Sequence, residues 1–351
     1  MTASTKERNK IEEHLPYDLL KRLYLDSRVS IKQLEKDFGI SHHTISKYLK
    51  ESENRYKLYY TLDIDTNLLG FSEARILGVK FERVPDLKLL QSVLSNDPFV
   101  QNAYLATGDF DLIMHVVGLN YIEYYRWEYK FRMGFSHYKP RLKVSTLNDM
   151  VEGFMPISSK LIPNSKGIDE TEKKILIKLI ENSRIKLKEL SKTTKLSQMK
   201  LIYTIKKLKK LGIIRQFTTG IQDPDKRIFL FYSVVNTPNE DHHRKTLPKF
   251  LKNIIERGKK NEITTDYSVV CDTSGHFDAV YFCNFKDGTA LDERGPNFLK
   301  KVWESELPVV EQGILTELIT GKWPFNANNY TKWRVELEEI ERKPIKFEIY
   351  K

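Results

Sequence analysis

The chain has 351 residues, 40% of them hydrophobic and 30% charged, with a formal net charge of +11 and a sequence pI near 9.2. That length implies two or more domains, and the basic balance suits a polyanionic partner, nucleic acid ahead of an anionic membrane surface. Two cysteines, Cys271 and Cys283, exclude a disulfide scaffold and a structural zinc site. No apolar run reaches the roughly 18–20 residues of a membrane span, and the opening "MTASTKERNKIEEHLPYD" is charged where a signal peptide is apolar, so a reducing cytoplasm is expected.

Along the chain, Pro16 suits the first turn of a helix carrying Leu19, Leu20 and Leu23 at helical spacing. Ser30-Ile31-Lys32-Gln33 reads as a capping box for a second helix with Leu34 inward. Gly39 breaks that helix, and Ser41 caps a third, "HHTISKYLKE", with Ile45 and Leu49 inward. Helix, helix, tight turn, helix is a helix-turn-helix plan. From residue 73 the pattern alternates: strand "EARILGVKFERV", helix "PDLKLLQSVLS", strands "VQNAYLA" and "FDLIMHVVG", helix "YIEYYRWEYKFRM" and strand "LKVSTLNDMVEGF". That order is the ferredoxin-like βαββαβ.

Both patterns then recur. "DETEKKILIKLI", "KLKELSKTT" and "SQMKLIYTIKKLKKLG" give a second helix-turn-helix ended by Gly212, followed by the strand "IIRQFTTGI". A second βαββαβ follows, with strands "RIFLFYSVV", "ITTDYSVVCD", "FDAVYFCNF" and "VVEQGILTELI" and helices "KTLPKFLKNIIE" and "GPNFLKKVWES". Ser27-Arg28-Val29 matches Ser183-Arg184-Ile185 at the same spacing that separates Ser41 from Ser197, and Gly-x-Phe-Asp occurs at Gly108 and at Gly275. The fold class expected is α+β: two winged-type helix-turn-helix domains (1–63 and 166–221) alternating with two ferredoxin-like domains (64–160 and 222–321), and an extension at 322–351.

The strongest chemical signal is the third helix of the second helix-turn-helix. Lys195, Lys200, Lys206, Lys207, Lys209, Lys210 and Arg215 follow one another with no acidic residue between. Such a face binds duplex phosphates by releasing their counterions, and the first turns of this helix reach base edges. The DNA-contacting set is therefore Ser197, Gln198, Met199, Lys200, Tyr203, Lys206, Lys207 and Lys210. Its counterpart is Ser41, His42, His43, Thr44, Ser46, Lys47 and Lys50. Gln pairs with adenine and Lys reaches guanine. Glu51 and Glu53 interrupt the first set, Ser52 replaces Leu208 and Tyr56 replaces Gly212.

Other motifs give less. Adjacent His42 and His43 diverge by about 100° on a helix and chelate poorly, His242-His243 lies in a polar insertion, and zinc-protease spacings are absent. Without a Walker A, GxGxxG or GxSxG motif, no metal, cofactor or catalytic residue is expected, and no enzyme. The aromatic helix around Tyr121, Tyr124, Tyr125 and Trp127 suits packing on a sheet or in a dimer before base stacking. Cys271 and Cys283 read as buried thiols. "TGDFDL" (107–112) reads first as a turn: a glycine, an inward aromatic, and an Asp able to bond local amides.

Residues 168–217, "IDETEKKILIKLIENSRIKLKELSKTTKLS" through "IKKLKKLGIIRQF", together with the Gly-acidic-aromatic-Asp turn at 108–111, resemble the Lrp/AsnC family of transcription regulators, once per half over 15–320. The resemblance implies sequence-specific duplex DNA recognition by both third helices, in the cytoplasm and on the nucleoid. It also implies pairing of the ferredoxin-like domains through their sheets, here as an intramolecular pseudo-dimer with homodimers or higher oligomers as the competing arrangement, and no membrane partner. A small effector such as an amino acid would bind near Gly108, Asp109, Asp111, Gly275, His276 and Asp278, with His276 standing where the first copy has Asp109. The format implies an asymmetric DNA site, because two different recognition helices would enter major grooves roughly 34 Å apart. Two alternatives are a nucleoid-packing protein and an enzyme like the siroheme decarboxylases, which share this architecture. For the latter the sequence offers His115, His137 and His276.

Overall fold

The computed structural model describes residues 18–221, 228–235, 266–285 and 309–323. In chain order these form α1 (18–25), α2 (Ile31–Phe38), α3 (His42–Tyr56), β1 (Leu58–Ile64), β2 (Glu73–Lys80), α4 (Leu87–Leu94), β3 (Val100–Gly108), β4 (Leu112–Gly118), α5 (Tyr121–Gly134) and β5 (Arg141–Glu152). Then come α6 (Glu170–Glu181), α7 (Leu187–Thr194), α8 (Gln198–Lys210), β6 (Ile214–Ile221), β7 (Ile228–Val235), β8 (Asp266–Gly275), β9 (Ala279–Phe285) and β10 (Val309–Thr320). The two helices expected at "KTLPKFLKNIIE" and "GPNFLKKVWES" lie outside the described residues.

The chain divides into two compact units. One gathers 1–68, 168–225 and 325–351, so it holds both helix-turn-helix segments; the other gathers 69–167 and 226–324, with all eight strands of the two βαββαβ patterns.

In the first unit the local signals do their expected work. Ser30 accepts from the Gln33 amide, Gly39 ends α2 at φ 66°, and Ser41 accepts from the Thr44 amide. Ser30 is only half a capping box, however: the Gln33 side chain donates to Asp37 at 2.7 Å rather than reaching back. The full reciprocal box is at Asp169 and Glu172, opening α6. Leu19, Leu23, Leu34, Ile45 and Leu49 bury a small core in the first segment, and Leu176, Leu190, Leu201 and Leu208 are fully buried in the second. Each contributes about 1.5–3 kcal/mol.

The strand after each helix-turn-helix does not fold back as a private wing. β1 pairs antiparallel with β6, Leu58 opposite Ile221 and Tyr60 opposite Thr219. Around this ribbon the two segments exchange equivalent bonds. Ser27 and Ser183 share a hydroxyl hydrogen bond at 2.5 Å, Arg28 donates to the Ser183 carbonyl, and Arg184 donates to that of Ser27. Arg28 also lies over Phe217 and Arg184 over Tyr60.

In the second unit the strand order is β3-β4-β2-β5 in the first set and β8-β9-β7-β10 in the second. This is one order written twice, and it is the ferredoxin-like one. The sets join edge to edge, β5 on β8 and β10 on β3, into a closed eight-stranded barrel. Closure removes the exposed edges that either set would present alone. Alternation follows the period of two. Ile76, Phe110, Ile113, Phe231, Phe277 and Phe282 fill the barrel, whereas Leu77, Val79, Leu112 and Met114 face outward under α4 and α5. Asp86 and Asn120 cap those helices. Tyr124 and Trp127 pack on the sheet as expected, but Tyr121 and Tyr125 are 55% and 53% exposed. Cys271 and Cys283 are buried and are not joined in a disulfide.

Candidate nucleic-acid interface and paired turns

α8 begins where Lys195, a non-glycine residue at φ 58°, turns the chain out of α7 and Ser197 accepts from the Lys200 amide. Burial of Leu201, Thr204 and Leu208 fixes which side of the helix faces its own domain. The opposite side carries the predicted set. Met199 and Tyr203 are 78% and 71% exposed, and Ser197, Gln198, Lys200, Lys206, Lys207 and Lys210 are exposed as well. Met199, Tyr203, Lys206 and Lys210 recur at three- and four-residue intervals and so form one stripe.

Two lysines of this helix have partners inside the unit. Lys207 donates to Glu172 at 2.7 Å, and that hydrogen bond raises its pKa. Lys209 lies over the Phe217 ring. Glu172 is buried and also serves the capping box of α6, so Lys207 ties α8 to the start of the first helix of its domain.

In α3 the residues Ser41, His42, His43, Lys47 and Lys50 are exposed, and Thr44 and Ser46 are half-buried. Ser41 and Thr44 share a hydroxyl hydrogen bond, His42 meets Ser46 at 3.4 Å, and Lys47 faces Glu51 at 3.9 Å. At the position of Lys207 this helix has Glu51 and at that of Lys210 it has Asn54, so its surface is far less cationic. No group of three or more acidic, histidine or cysteine side chains suited to a metal occurs among the described residues.

The two Gly-x-Phe-Asp turns come together in the barrel. Phe110 and Phe277 meet edge to face at 5.8 Å, with Phe231 against both. Each glycine has positive φ, 121° at Gly108 and 131° at Gly275, and each leans on the last strand of the other set. A Cβ on Gly108 would stand 2.8 Å from the Gln312 carbonyl, and one on Gly275 2.8 Å from that of Val144. The following residues donate to those same carbonyls, Asp109 to Gln312 at 2.9 Å and His276 to Val144 at 3.1 Å.

The acidic residues behave differently from a self-contained turn. Asp111 accepts from the Phe81 amide and from Lys80, both at the end of the first strand of its own set and distant in sequence. Asp109 accepts from the Gln312 amide at 2.7 Å. His276 instead meets Glu311 at 2.9 Å, and Glu311 also pairs with Lys143. Burial by itself would raise the Glu311 carboxyl; the hydrogen bonds from Lys143 and His276 outweigh it and hold the pKa below its usual value. Sequence reasoning missed Lys80, Lys143 and Glu311, which carry no motif and are brought in by strand register.

Of the three histidines, His115 is buried in the barrel wall, His137 is exposed in the turn after α5, and His276 is half-buried at the β8–β9 turn. His115 Nδ1 meets Asn102 at 3.4 Å, its Nε2 has no partner among the described residues, and burial pushes its pKa down to about 4.

Residues 168–215 match the winged helix-turn-helix DNA-binding family model, and residues 17–49 match that of the NUMOD1 domain. The uncharacterized HTH-type transcriptional regulator PH1692 of Pyrococcus horikoshii is 25% identical over 97 residues, 27% of this chain and 65% of that protein. The chain thus spans just under two thirds of that relative. Over nearly the whole chain the fold is shared with the siroheme decarboxylase NirDL, solved in complex with an iron-uroporphyrin III analogue: TM-score 0.58 at 14% identity, covering 94% of this chain and 99% of that one. The transcriptional regulator NMB0573 of Neisseria meningitidis, solved with L-Met, is 20% identical with a TM-score of 0.36, over 46% of this chain and 99% of its own.

Proposed function

We propose that the chain is a sequence-specific DNA-binding transcription regulator of the Lrp/AsnC type, in which two halves of one duplicated chain act as the two subunits of a dimer. The observation that carries this reading is the exposed stripe of α8, where Met199, Tyr203, Lys206 and Lys210 stand clear of the core beside Lys200. The lysines neutralise phosphates, while Gln198, Lys200 and Tyr203 meet base edges. α3 supplies a weaker, differently patterned contact, so the DNA site is asymmetric. The paired turns are where a small effector such as an amino acid acts, with Asp109 and His276 giving the two halves unlike chemistry. Work on the nucleoid in the cytoplasm follows.

The test is duplex binding measured across a salt series. Changing Lys200 and Lys206 to Ala is expected to weaken binding and to lower the salt slope by about one per lysine. Unchanged affinity and slope overturn the assignment. Genome-wide occupancy in discrete peaks supports a regulator, and an even smear supports a nucleoid-packing protein instead.

A second reading has one observation in its favour. His115 presents an unpartnered imidazole nitrogen inside the barrel, neutral at physiological pH because burial holds its pKa near 4, and a siroheme decarboxylase shares this fold. Under this reading a tetrapyrrole binds at the barrel and His115 is one of its contacts. Titration with an iron-uroporphyrin analogue would then give an absorption band that His115→Phe abolishes, and no band removes this reading.

A further inference from the structure

The register of the barrel makes certain residues of the two strand sets counterparts. Gly108 stands opposite Gly313 and Gly275 opposite Ser145. Asp109 and His276 donate to the carbonyls one residue earlier, Gln312 and Val144. One further step back are Glu311 and Lys143, which therefore occupy the same place in their respective sets. They carry opposite charges and bond each other between β5 and β10, just beyond the ends of the two ladders that join the sets. Each is also fixed from its own set, Lys143 opposite Gly78 and Glu311 opposite Ser233, with the Ser233 hydroxyl donating to the Glu311 carbonyl.

From this we infer that the seam is a charge key: it makes the two unlike strand sets partners for one another and rejects a like set from a second copy of the chain. The inference rests on the duplicated-halves part of the reading above, and on none of the DNA chemistry. If the first set paired with the first set of another chain, Lys143 would face Lys143. If the second paired with the second, Glu311 would face Glu311. Like charges held this close repel, and these positions are only partly exposed, which weakens screening by salt. The neighbours sharpen the asymmetry. His276 adds a second hydrogen bond to Glu311, whereas its counterpart Asp109 is already engaged by the Gln312 amide and is not held for Lys143.

The test uses the full chain with Lys143→Glu, Glu311→Lys and the double exchange. Two differently tagged copies are co-expressed, and recovery of one tag with the other is measured beside the melting temperature. Each single variant leaves one sign of charge at every arrangement of the seam. It should lower the melting temperature by several degrees and raise cross-tag recovery severalfold; the double exchange should return both most of the way. Losses that simply add in the double variant, or cross-tag recovery that the single variants leave unchanged, overturn the key. Should a charge reversal prevent folding, Lys143→Met and Glu311→Gln with their double variant give the same cycle, where a coupling of zero overturns it. Neither readout involves DNA, so loss of the regulator reading through the α8 lysines would leave this result standing.

Discussion

At the scale of single residues, neighbouring side chains of one type carry different duties. Lys206 is exposed and has no bond to hold it among the described residues, whereas Lys207 is bound to the buried Glu172. Lys206→Ala should therefore reduce DNA affinity and the salt slope while leaving the melting curve in place. Lys207→Ala should do the reverse, lowering the melting temperature because Glu172 is left buried with one partner fewer. His115 gives a pH prediction. Its pKa is near 4 in the folded barrel and about 6.5 in the unfolded chain. The unfolded state thus binds the proton first, and stability falls as pH drops from about 6.5 to about 4, by roughly 3 kcal/mol in all. His115→Phe, which copies the Phe282 that occupies the matching strand position of the second set, should flatten that part of a urea-midpoint curve measured from pH 7 to 4. Glu311 works with the opposite sense of charge and the same sense of pH: its pKa is lowered by Lys143 and His276. Its contribution is complete above the ordinary carboxylate range and is lost as pH falls through the lowered folded value, so Glu311→Gln should remove a more acidic portion of the loss.

At the scale of elements, the two Gly-x-Phe-Asp turns test whether the halves depend on each other. Gly108→Ala and Gly275→Ala each force a side chain into a positive-φ conformation and against a backbone carbonyl of the opposite set. A loss of about 2 kcal/mol or more is expected for either, read by denaturant titration. A surface glycine such as Gly134, with open space around it, should tolerate the same change or gain from it within a helix. The elements themselves were largely legible: caps, helical spacing and strand alternation placed the described helices and all the described strands but β1 (Leu58–Ile64), because those signals act within a few residues. What was not legible is where the repeat leads. Ser27-Arg28 and Ser183-Arg184 stood out as matching segments, but nothing in their sequence says that each arginine donates to the other segment's serine carbonyl. In the same way Asp111 reads as a partner for local amides and in fact reaches Phe81 and Lys80. Register across long separations decides both, and no short pattern encodes it.

At the scale of the whole molecule, the reading makes one chain carry two unlike recognition helices. Selection of bound duplexes from a random pool should return a non-palindromic site, with its better-defined half assigned to α8. Exchanging Met199 and Tyr203 for the His43 and Lys47 found at the same places in α3 should change the bases preferred in that half alone. A palindrome built from the α8 half-site should bind no more tightly than the natural asymmetric one. A selected site that is itself palindromic would count against two distinct reading heads.

The closed barrel also bears on how the protein is made. β3 finds its outer neighbour only in β10, with Gly108 opposite Gly313, and β5 finds its own only in β8. At about 5–20 residues per second a ribosome needs on the order of 10–40 s to travel from the first of those glycines to the second. For much of that interval, from the completion of β5 until β8 is made, the nascent first half has two complete strands with unpaired edges, the feature most prone to sticking to other chains. The yield of the protein in a cell should then depend on how fast its second half is translated and on whether a chaperone shelters the waiting edges.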